Sequence, residues 1–386
     1  MNAKLRGWWW ARQGLDGSLT GASAREALRR SGWMRSVGGA GPYVGLFARA
    51  GLSRASVDAA VATVDIAELP SARGCTYVLP ADDFAVGLRM GQGFGDEAQI
   101  AMARKHLGVT DAELVALEDA VVAALGKGVM DPRALKDVLG DAVRNLGAEG
   151  KKRGTTTTLP LALGRLQSHG RIRRVPLDGR LDRQRYAYTC WGQEVAGDEA
   201  FLAVARAWWR QAGPATPAQF QWFSGLGARQ VKELVARLDL VPVDDLWILA
   251  EDAAAFAAFE PPGTEQVRFL SNLDPLFLHR RELRPLLSDA DAARGFWTEK
   301  GTQAGSALAD LSSQAIVDRG RIIGLWDFDP GADRLTWATF EPATAAVRAE
   351  AERVEAWIRR DLGDVRSFSL DSPESRAPRL AAIRAM

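Results

Sequence analysis

The chain has 386 residues, 47% of them hydrophobic and 25% charged, the balance of an ordinary globular protein with room for about two or three domains or one elongated array. Its net charge is only +1, so affinity for a polyanion would have to come from local clusters of basic residues. The two cysteines are too few for a disulfide scaffold, and the three histidines are scattered. No apolar run reaches the ~18 residues of a membrane-spanning helix. We therefore expect a cytoplasmic protein with no cofactor, no metal and no membrane partner.

The first region, residues 1–130, shows signals for several short helices and one strand. Ser23 and Glu26 have the spacing of a capping box and predict a helix start. The tryptophan run at 8–10 is interpreted as buried aromatics of this unit, and residues 73–79 are strand-like. Further helices are predicted after Pro42, Ser53, Pro80 and Thr110.

The second region, residues 131–195, begins with a helix after Asp131-Pro132 and then changes character. Leu159, Leu163 and Leu166 recur at the spacing of one apolar helix face. Two strands follow this helix, at 171–175 and 184–189, on either side of a turn at Asp178-Gly179. A helix followed by a β-hairpin predicts a recognition helix with its wing.

The pattern recurs in the third region, residues 196–260, which reads as three helices and a hairpin. A Pro-rich break then leads to a C-terminal β-rich subdomain, residues 261–386, with a closing helix at 343–362. The predicted strands of these two regions are 240–243, 246–249, 315–317, 322–328 and 335–340. We therefore predict an α+β, mostly helical fold with about three tandem winged-helix units and a β-rich tail.

Basic residues concentrate around the first predicted wing. Between Arg144 and Arg185 there are eleven Lys or Arg residues and only three acidic ones. Arginines and lysines on a hairpin beside a helix can bind phosphates of duplex DNA, although such arginines can also pair with acids elsewhere in the fold. The predicted DNA contacts are Lys151, Lys152, Arg153, Arg165, Arg171, Arg173, Arg174, Arg183 and Arg185.

Several short segments, taken in order, resemble the AlkZ/YcaQ-type family of winged-helix DNA glycosylases. They are Pro42-Tyr43-Val44-Gly45-Leu46, Arg73-Gly74, Leu159-Pro160, Gly213-Pro214-Ala215-Thr216, Trp222 with Ser224-Gly225-Leu226, Arg268-Phe269-Leu270, Leu273-Asp274 and the stretch from Val317 to Trp326. The resemblance covers nearly the whole chain. It implies three winged helices in a C-shaped array, double-stranded DNA as partner, and removal of alkylated or crosslinked purines.

The chain departs from that family at the expected catalytic motif. The family carries Gln-apolar-Gln or Gln-apolar-Asp shortly before the Pro-Tyr-Val-Gly-Leu segment, where the second polar side chain would orient water. These positions hold Arg35 and Val37 here, and a one-residue slip gives Ser36 and Gly38. Arginine cannot act as a general base, and its charge opposes a cationic transition state. We expect Arg35 to contact DNA instead.

The lesion-reading strand is also altered. A Gly-Thr-apolar-His run of the family corresponds to a segment that ends in Tyr77, which would stack on a base or lie half-buried in the strand. Asp16 and Asp82 are weak candidates for a substitute catalytic group, since each is also explained by a turn or a helix start. Asp65 and Glu68 have no partner that the sequence identifies.

The sequence is compatible with three functions. The first is a double-stranded DNA-binding protein that resembles glycosylases but lacks their usual catalytic pair. The second is an active, divergent glycosylase that uses another water-activating residue. The third is a winged-helix transcriptional regulator, although regulators usually carry one such unit rather than three. We expect a monomer that associates with the nucleoid when bound to DNA.

Overall fold

A computed structural model describes residues 3–386; Met1 and Asn2, at the start of the first predicted region, lie outside the described residues. The chain forms a mixed α+β structure in which about half of the described residues are helical. This confirms the predicted fold class in its coarse form. Among residues 3–386 no helix is long and apolar enough to cross a membrane.

The N-terminal part combines five helices with a three-stranded antiparallel sheet of order β1-β3-β2. The sequence predicted only the central strand, a few residues too early, because Arg73 adopts a left-handed turn at φ 60° before the strand begins. The elements are α1 Ala3–Arg12, α2 Ala24–Ser31, β1 Met34–Arg35, α3 Gly41–Ala50, α4 Arg54–Ala62, β2 Ile66–Pro70, β3 Thr76–Pro80 and α5 Phe84–Gly91.

The middle part is a helical layer that ends in a β-hairpin. Thr110 and Glu113 form the reciprocal capping box that opens a long helix, and Leu159, Leu163 and Leu166 are all buried, as their spacing predicts. The elements are α6 Gly95–Leu107, α7 Asp111–Leu125, α8 Pro132–Leu139, α9 Gly147–Lys152, α10 Leu159–Ser168, β4 Ile172–Pro176 and β5 Tyr186–Cys190. We call residues 172–190 the wing hairpin.

The third part matches its predicted helices and hairpin closely. Thr216 and Gln219 cap the second helix reciprocally, and both strands of the hairpin have the predicted bounds. The elements are α11 Ala200–Ala212, α12 Pro217–Ser224, α13 Ala228–Val235, β6 Leu240–Val243, β7 Leu246–Leu249 and α14 Ala250–Ala258.

The C-terminal part is built on a four-stranded antiparallel sheet of order β13-β12-β11-β8. The three strands that the sequence predicts are present. The last helix, Pro373–Arg384, was not predicted, because it contains few apolar residues. The elements are β8 Val267–Leu270, α15 Pro275–Leu278, α16 Asp289–Ala292, β9 Gly295–Phe296, β10 Gln303–Ala304, β11 Gln314–Asp318, β12 Arg321–Asp329, β13 Arg334–Thr339, α17 Ala345–Trp357 with a π-helical turn Ile358–Leu362, and α18 Pro373–Arg384.

The two ends of the chain share their cores. Phe47 of α3 stacks on Trp357 of α17, with ring centroids 4.1 Å apart. Arg49, also of α3, forms a fully buried pair with Asp274 at 2.7 and 2.8 Å. These contacts fix α3 and the end of the segment before it, in which the family's motif positions fall on the last residue of β1 and in the following loop.

The tryptophans of α1 are buried, as predicted, but their partners lie late in the chain rather than in the first unit. The indole nitrogens of Trp8 and Trp9 donate to the carbonyls of Gly213 and Pro214. Trp10 donates to the side chain of Gln266 at 2.9 Å. The helix α1 therefore joins the third part to the C-terminal part, a long-range relation that a periodicity pattern does not contain.

Candidate nucleic-acid interface and motif site

The three-stranded N-terminal sheet presents two chemically different faces. In an antiparallel sheet, directly opposed residues point to the same side. Arg35 lies opposite Tyr77, so both belong to what we call the arginine face. Glu68 lies opposite Val78 on the other side, which we call the carboxylate face. The side chains on each face determine which chemistry is available at the altered motif.

On the arginine face, the first motif position is occupied by a cation packed on an aromatic ring. The Arg35 guanidinium lies 5.5 Å from the centroid of the Tyr77 ring, and burial lowers the pKa of Arg35. Its Nη1 atom is buried and has no hydrogen-bond partner among residues 3–386. Val37, the second motif position, is half-buried and apolar. Neither side chain can accept a proton from water.

Tyr77 lies in the core rather than on an open surface. Only 4% of it is exposed, and its ring meets Trp33 and Phe223 edge-on at 6.3 Å. Burial is also the main cause of its raised pKa. In this conformation the strand tyrosine has no room to stack on a base, and it serves instead as the support on which Arg35 rests.

The carboxylate face carries Glu68, for which the sequence identifies no partner. Ser36, between the two motif positions, donates its hydroxyl to Oε1 of Glu68. Glu68 is 6% exposed, and its other oxygen, Oε2, has no hydrogen-bond partner in the described part of the chain. Burial raises the pKa of Glu68, against the lowering effects of Ser36, Arg174 and Tyr186. The sequence signal was a lone acid at the centre of an otherwise apolar strand, Ile66–Pro70.

The wing hairpin packs on the carboxylate face instead of protruding freely. Its strand β4 contacts β2, and the backbone amide of Leu181 donates to the Tyr43 hydroxyl at 3.0 Å. At its tip Gln184 has a left-handed backbone, φ 37°, and its side chain lies over Gly38. Any Cβ added to Gly38 would fall 2.1 Å from that side chain. The hairpin is thus anchored beside the motif loop.

The predicted basic residues separate into three groups. Lys151, Lys152 and Arg185 are exposed, and Arg173 is half-buried; none of the four has an ion-pair partner within the described range, 3–386. A second group is exposed but paired, and consists of Arg153 with Glu149 at 2.7 Å, Arg171 with Asp119 at 3.3 Å and Arg183 with Asp178 at 3.4 Å.

The third group consists of arginines whose side chains make their contacts inside the fold. Arg165 pairs with Glu118, and the two side chains are only 15% and 8% exposed. The Arg174 guanidinium lies 5.1 Å from the centroid of the Tyr186 ring, with its Nε buried and without a partner in the part of the chain described. These arginines hold the hairpin and its supporting helix in place.

The other candidate carboxylates have local roles. Asp16 accepts a hydrogen bond from the Ser18 amide, which closes the turn after α1. Asp82 is exposed and forms a two-pronged pair with Arg25 at 2.8 and 2.7 Å. Its neighbour Asp83 accepts from the Trp33 indole at 2.7 Å, and burial raises its pKa. Among residues 3–386 no group of three or more His, Cys, Asp or Glu side chains has an arrangement suited to a metal ion.

Comparison with known proteins adds two similarities. A family model described as "DNA glycosylase AlkZ-like" matches residues 28–357. Among solved structures, the Streptomyces sahachiroi DNA glycosylase AlkZ has a similar fold, with a TM-score of 0.67 and 21% identity over 94% of this chain and 97% of that one. No curated protein matches the chain. At this identity the structural likeness concerns the fold, and the match of the family model covers most of the chain.

Proposed function

Since the chain belongs to the AlkZ-like DNA glycosylase family, as its segments predicted, we propose that it is a double-stranded DNA-binding protein that recognises alkylated or crosslinked bases without the family's usual catalytic pair. The observation that carries the proposal is the set of four basic side chains without acidic partners among residues 3–386, two on the wing hairpin and two at the end of α9. Such cations are available to phosphates without the breaking of an ion pair.

Only part of the basic cluster is proposed to bind DNA directly. Lys151, Lys152, Arg173 and Arg185 bind phosphates directly. The exposed but paired group (Arg153, Arg171 and Arg183) exchanges its carboxylates for phosphates, because exposed pairs are worth little. Arg165, Arg174 and Arg35 support the surface from within.

The arrangement that we propose keeps three winged-helix units, at residues 1–130, 131–195 and 196–260, in a C-shaped array closed by the subdomain 261–386. In support of this, α10 with the wing hairpin and α12–α13 with β6–β7 each have the order of helix and hairpin of a winged helix. The protein acts as a monomer in the cytoplasm, associated with the nucleoid when bound to DNA.

Binding to a duplex that contains N7-methylguanine, compared with the undamaged duplex, tests the proposal. We expect the logarithm of the association constant to fall linearly with the logarithm of the salt concentration, with a slope of roughly −4 to −6 for the four direct contacts and up to three exchanged ion pairs. Fluorescence anisotropy with end-labelled duplex measures this slope. A salt-independent weak signal, equal for both duplexes, would contradict the proposal.

An active glycosylase is the second candidate, and the buried Glu68 beside Ser36 favours it. Carboxylates activate water in hydrolysis, and this one lies next to the motif loop. Alkali-labile abasic sites above a no-enzyme control would establish excision. The same incubation without excess cleavage on N7-alkyl, N3-alkyl and crosslinked substrates would leave the binding role alone.

A further inference from the structure

We propose that Glu68 replaces the missing motif as the water-activating carboxylate, held by Ser36 and covered by the wing hairpin, an inference that rests on the proposed function. Ser36 occupies the position between Arg35 and Val37, so its bond to Glu68 brings an acid from β2 to the motif loop. The serine directly follows β1, whereas the acid lies on β2.

The hydrogen bonding of Glu68 leaves one oxygen available. Oε1 accepts from Ser36, whereas Oε2 is buried without a partner in the described part of the chain. A buried polar atom without a hydrogen bond destabilises the fold, so a water bound at Oε2 would relieve that cost. Val78 opposite is apolar, and the donors that face the carboxylate from the hairpin are the Tyr186 hydroxyl and Arg174.

The groups that face Glu68 set its proton affinity. Arg174 of β4 and Tyr186 of β5 lie on the hairpin side, and Ser36 lies on the β1 side. Burial outweighs all three and raises the pKa of the carboxyl, which makes the ionised group a stronger proton acceptor than an exposed glutamate. The same carboxylate raises the pKa of Tyr186, after burial, so this hydroxyl stays a neutral donor.

Hydrolysis of the N-glycosidic bond at this site needs no reactant besides water. Water bonds through its oxygen to C1′ of the deoxyribose and gives one proton to the Glu68 carboxylate. The bond from C1′ to the purine nitrogen breaks, and its electron pair neutralises the cationic N7- or N3-alkylated ring, which leaves as a neutral base. The negative carboxylate also stabilises the positive charge that develops on the sugar, which Arg35 could not do.

Access to Glu68 requires the hairpin to move from its anchored position, beginning at the loop that carries Gln184. Gln184 has a left-handed backbone that non-glycine residues adopt at a cost, and its side chain covers Gly38. Arg173 and Arg185 are the sequence neighbours of Arg174 and Tyr186, so phosphates bound by them would pull the hairpin away from the carboxylate. DNA binding and exposure of the site are thereby coupled.

The test uses the full chain and an N7-methylguanine duplex, with single-turnover excision followed by alkaline cleavage. Glu68→Gln should lower the rate by about 10²–10⁴-fold and leave duplex binding within about twofold. Asp65→Asn, an exposed acid just before β2, is the matched control and should keep the native rate. Circular dichroism and melting temperature verify that each variant is folded.

The pH profile separates a chemical role from a structural one. The native rate should fall as the pH decreases through the Glu68 pKa, above the ordinary range of a glutamate. Ser36→Ala removes a bond that lowers this pKa, so the acidic limb should move to higher pH. An excision rate unaffected by Glu68→Gln, or an Asp65→Asn loss of equal size, overturns the assignment while glycosylase activity stands. Binding of the damaged duplex without any excision overturns it while the DNA-binding function stands, and absence of both overturns the two together.

Discussion

The two faces of the N-terminal sheet differ in how their polar groups are satisfied. On the arginine face, Arg35 rests on Tyr77, and aromatic rings fill the space beyond. On the carboxylate face, Glu68 keeps an oxygen without a partner in the described part of the chain, under a hairpin with a strained tip. Each face thus buries one polar atom without a hydrogen bond among residues 3–386, but the Arg35 guanidinium is supported by the Tyr77 ring and cannot accept a proton. The first motif position therefore has a structural role, whereas the carboxylate keeps the capacity to act as a base.

The largest expected effect tests whether the arginine face is a packed core. Tyr77→Ala removes a fully packed aromatic ring and should lower the free energy of unfolding by about 3–5 kcal/mol. Tyr77→Phe keeps the ring and should cost less than about 1 kcal/mol. Urea denaturation measures both. A small loss for the alanine variant would mean that the ring lies at an open, base-reading surface after all.

The wing hairpin provides the next effect, on the side of the carboxylate face. Arg173→Ala combined with Arg185→Ala removes two unpaired cations and should weaken duplex binding by about tenfold and reduce the salt slope by about 2. Arg334→Ala, an exposed arginine on β13, is the control and should change neither quantity. An unchanged slope in the double variant would assign DNA binding to another surface.

How much of the structure can be predicted from the sequence depends on how far apart the interacting residues lie along the chain. Capping boxes such as Thr110 with Glu113, and helix faces such as Leu159 with Leu163, are local, and their prediction was correct. The strands β1 and β2 were missed, since β1 has two residues and an acid interrupts β2. Pairing across these strands is what gives Glu68 its partner, so the candidate carboxylate could not be recognised from spacing alone.

The basic cluster illustrates the same limit. Its composition predicts a phosphate-binding surface, but the division into unpaired, exchangeable and buried arginines depends on acids far along the chain. Arg165, for example, is held by Glu118, 47 residues away. The family motif positions were identified from the sequence, and their replacement by Arg35 and Val37 follows from the letters alone. That the motif positions are buried on the face opposite to the available acid cannot be deduced from the sequence.

A smaller effect concerns the cost of keeping Glu68 buried. Because folding raises its pKa, the protonated form favours the folded state, and this contribution is lost as the pH rises through the folded-state pKa. Glu68→Gln, which keeps an acceptor for Ser36, should therefore raise the free energy of unfolding at pH 8. The difference should vanish below the pKa of an unfolded glutamate. Chemical denaturation at both pH values measures it, and a destabilised variant at pH 8 would mean that the charge is stabilised by Arg174.

The smallest effect is expected at the first motif position itself. Arg35→Met removes a cation–π contact worth about 0.5–1 kcal/mol, but it also removes a buried Nη1 that lacks a hydrogen bond. The two changes oppose each other, so the free energy of unfolding should move by less than about 0.5 kcal/mol. Since the guanidinium is committed to Tyr77, duplex binding should stay native in anisotropy titrations. Weaker binding by Arg35→Met would instead place Arg35 on DNA, as the sequence predicts, and would make the arginine face part of the interface.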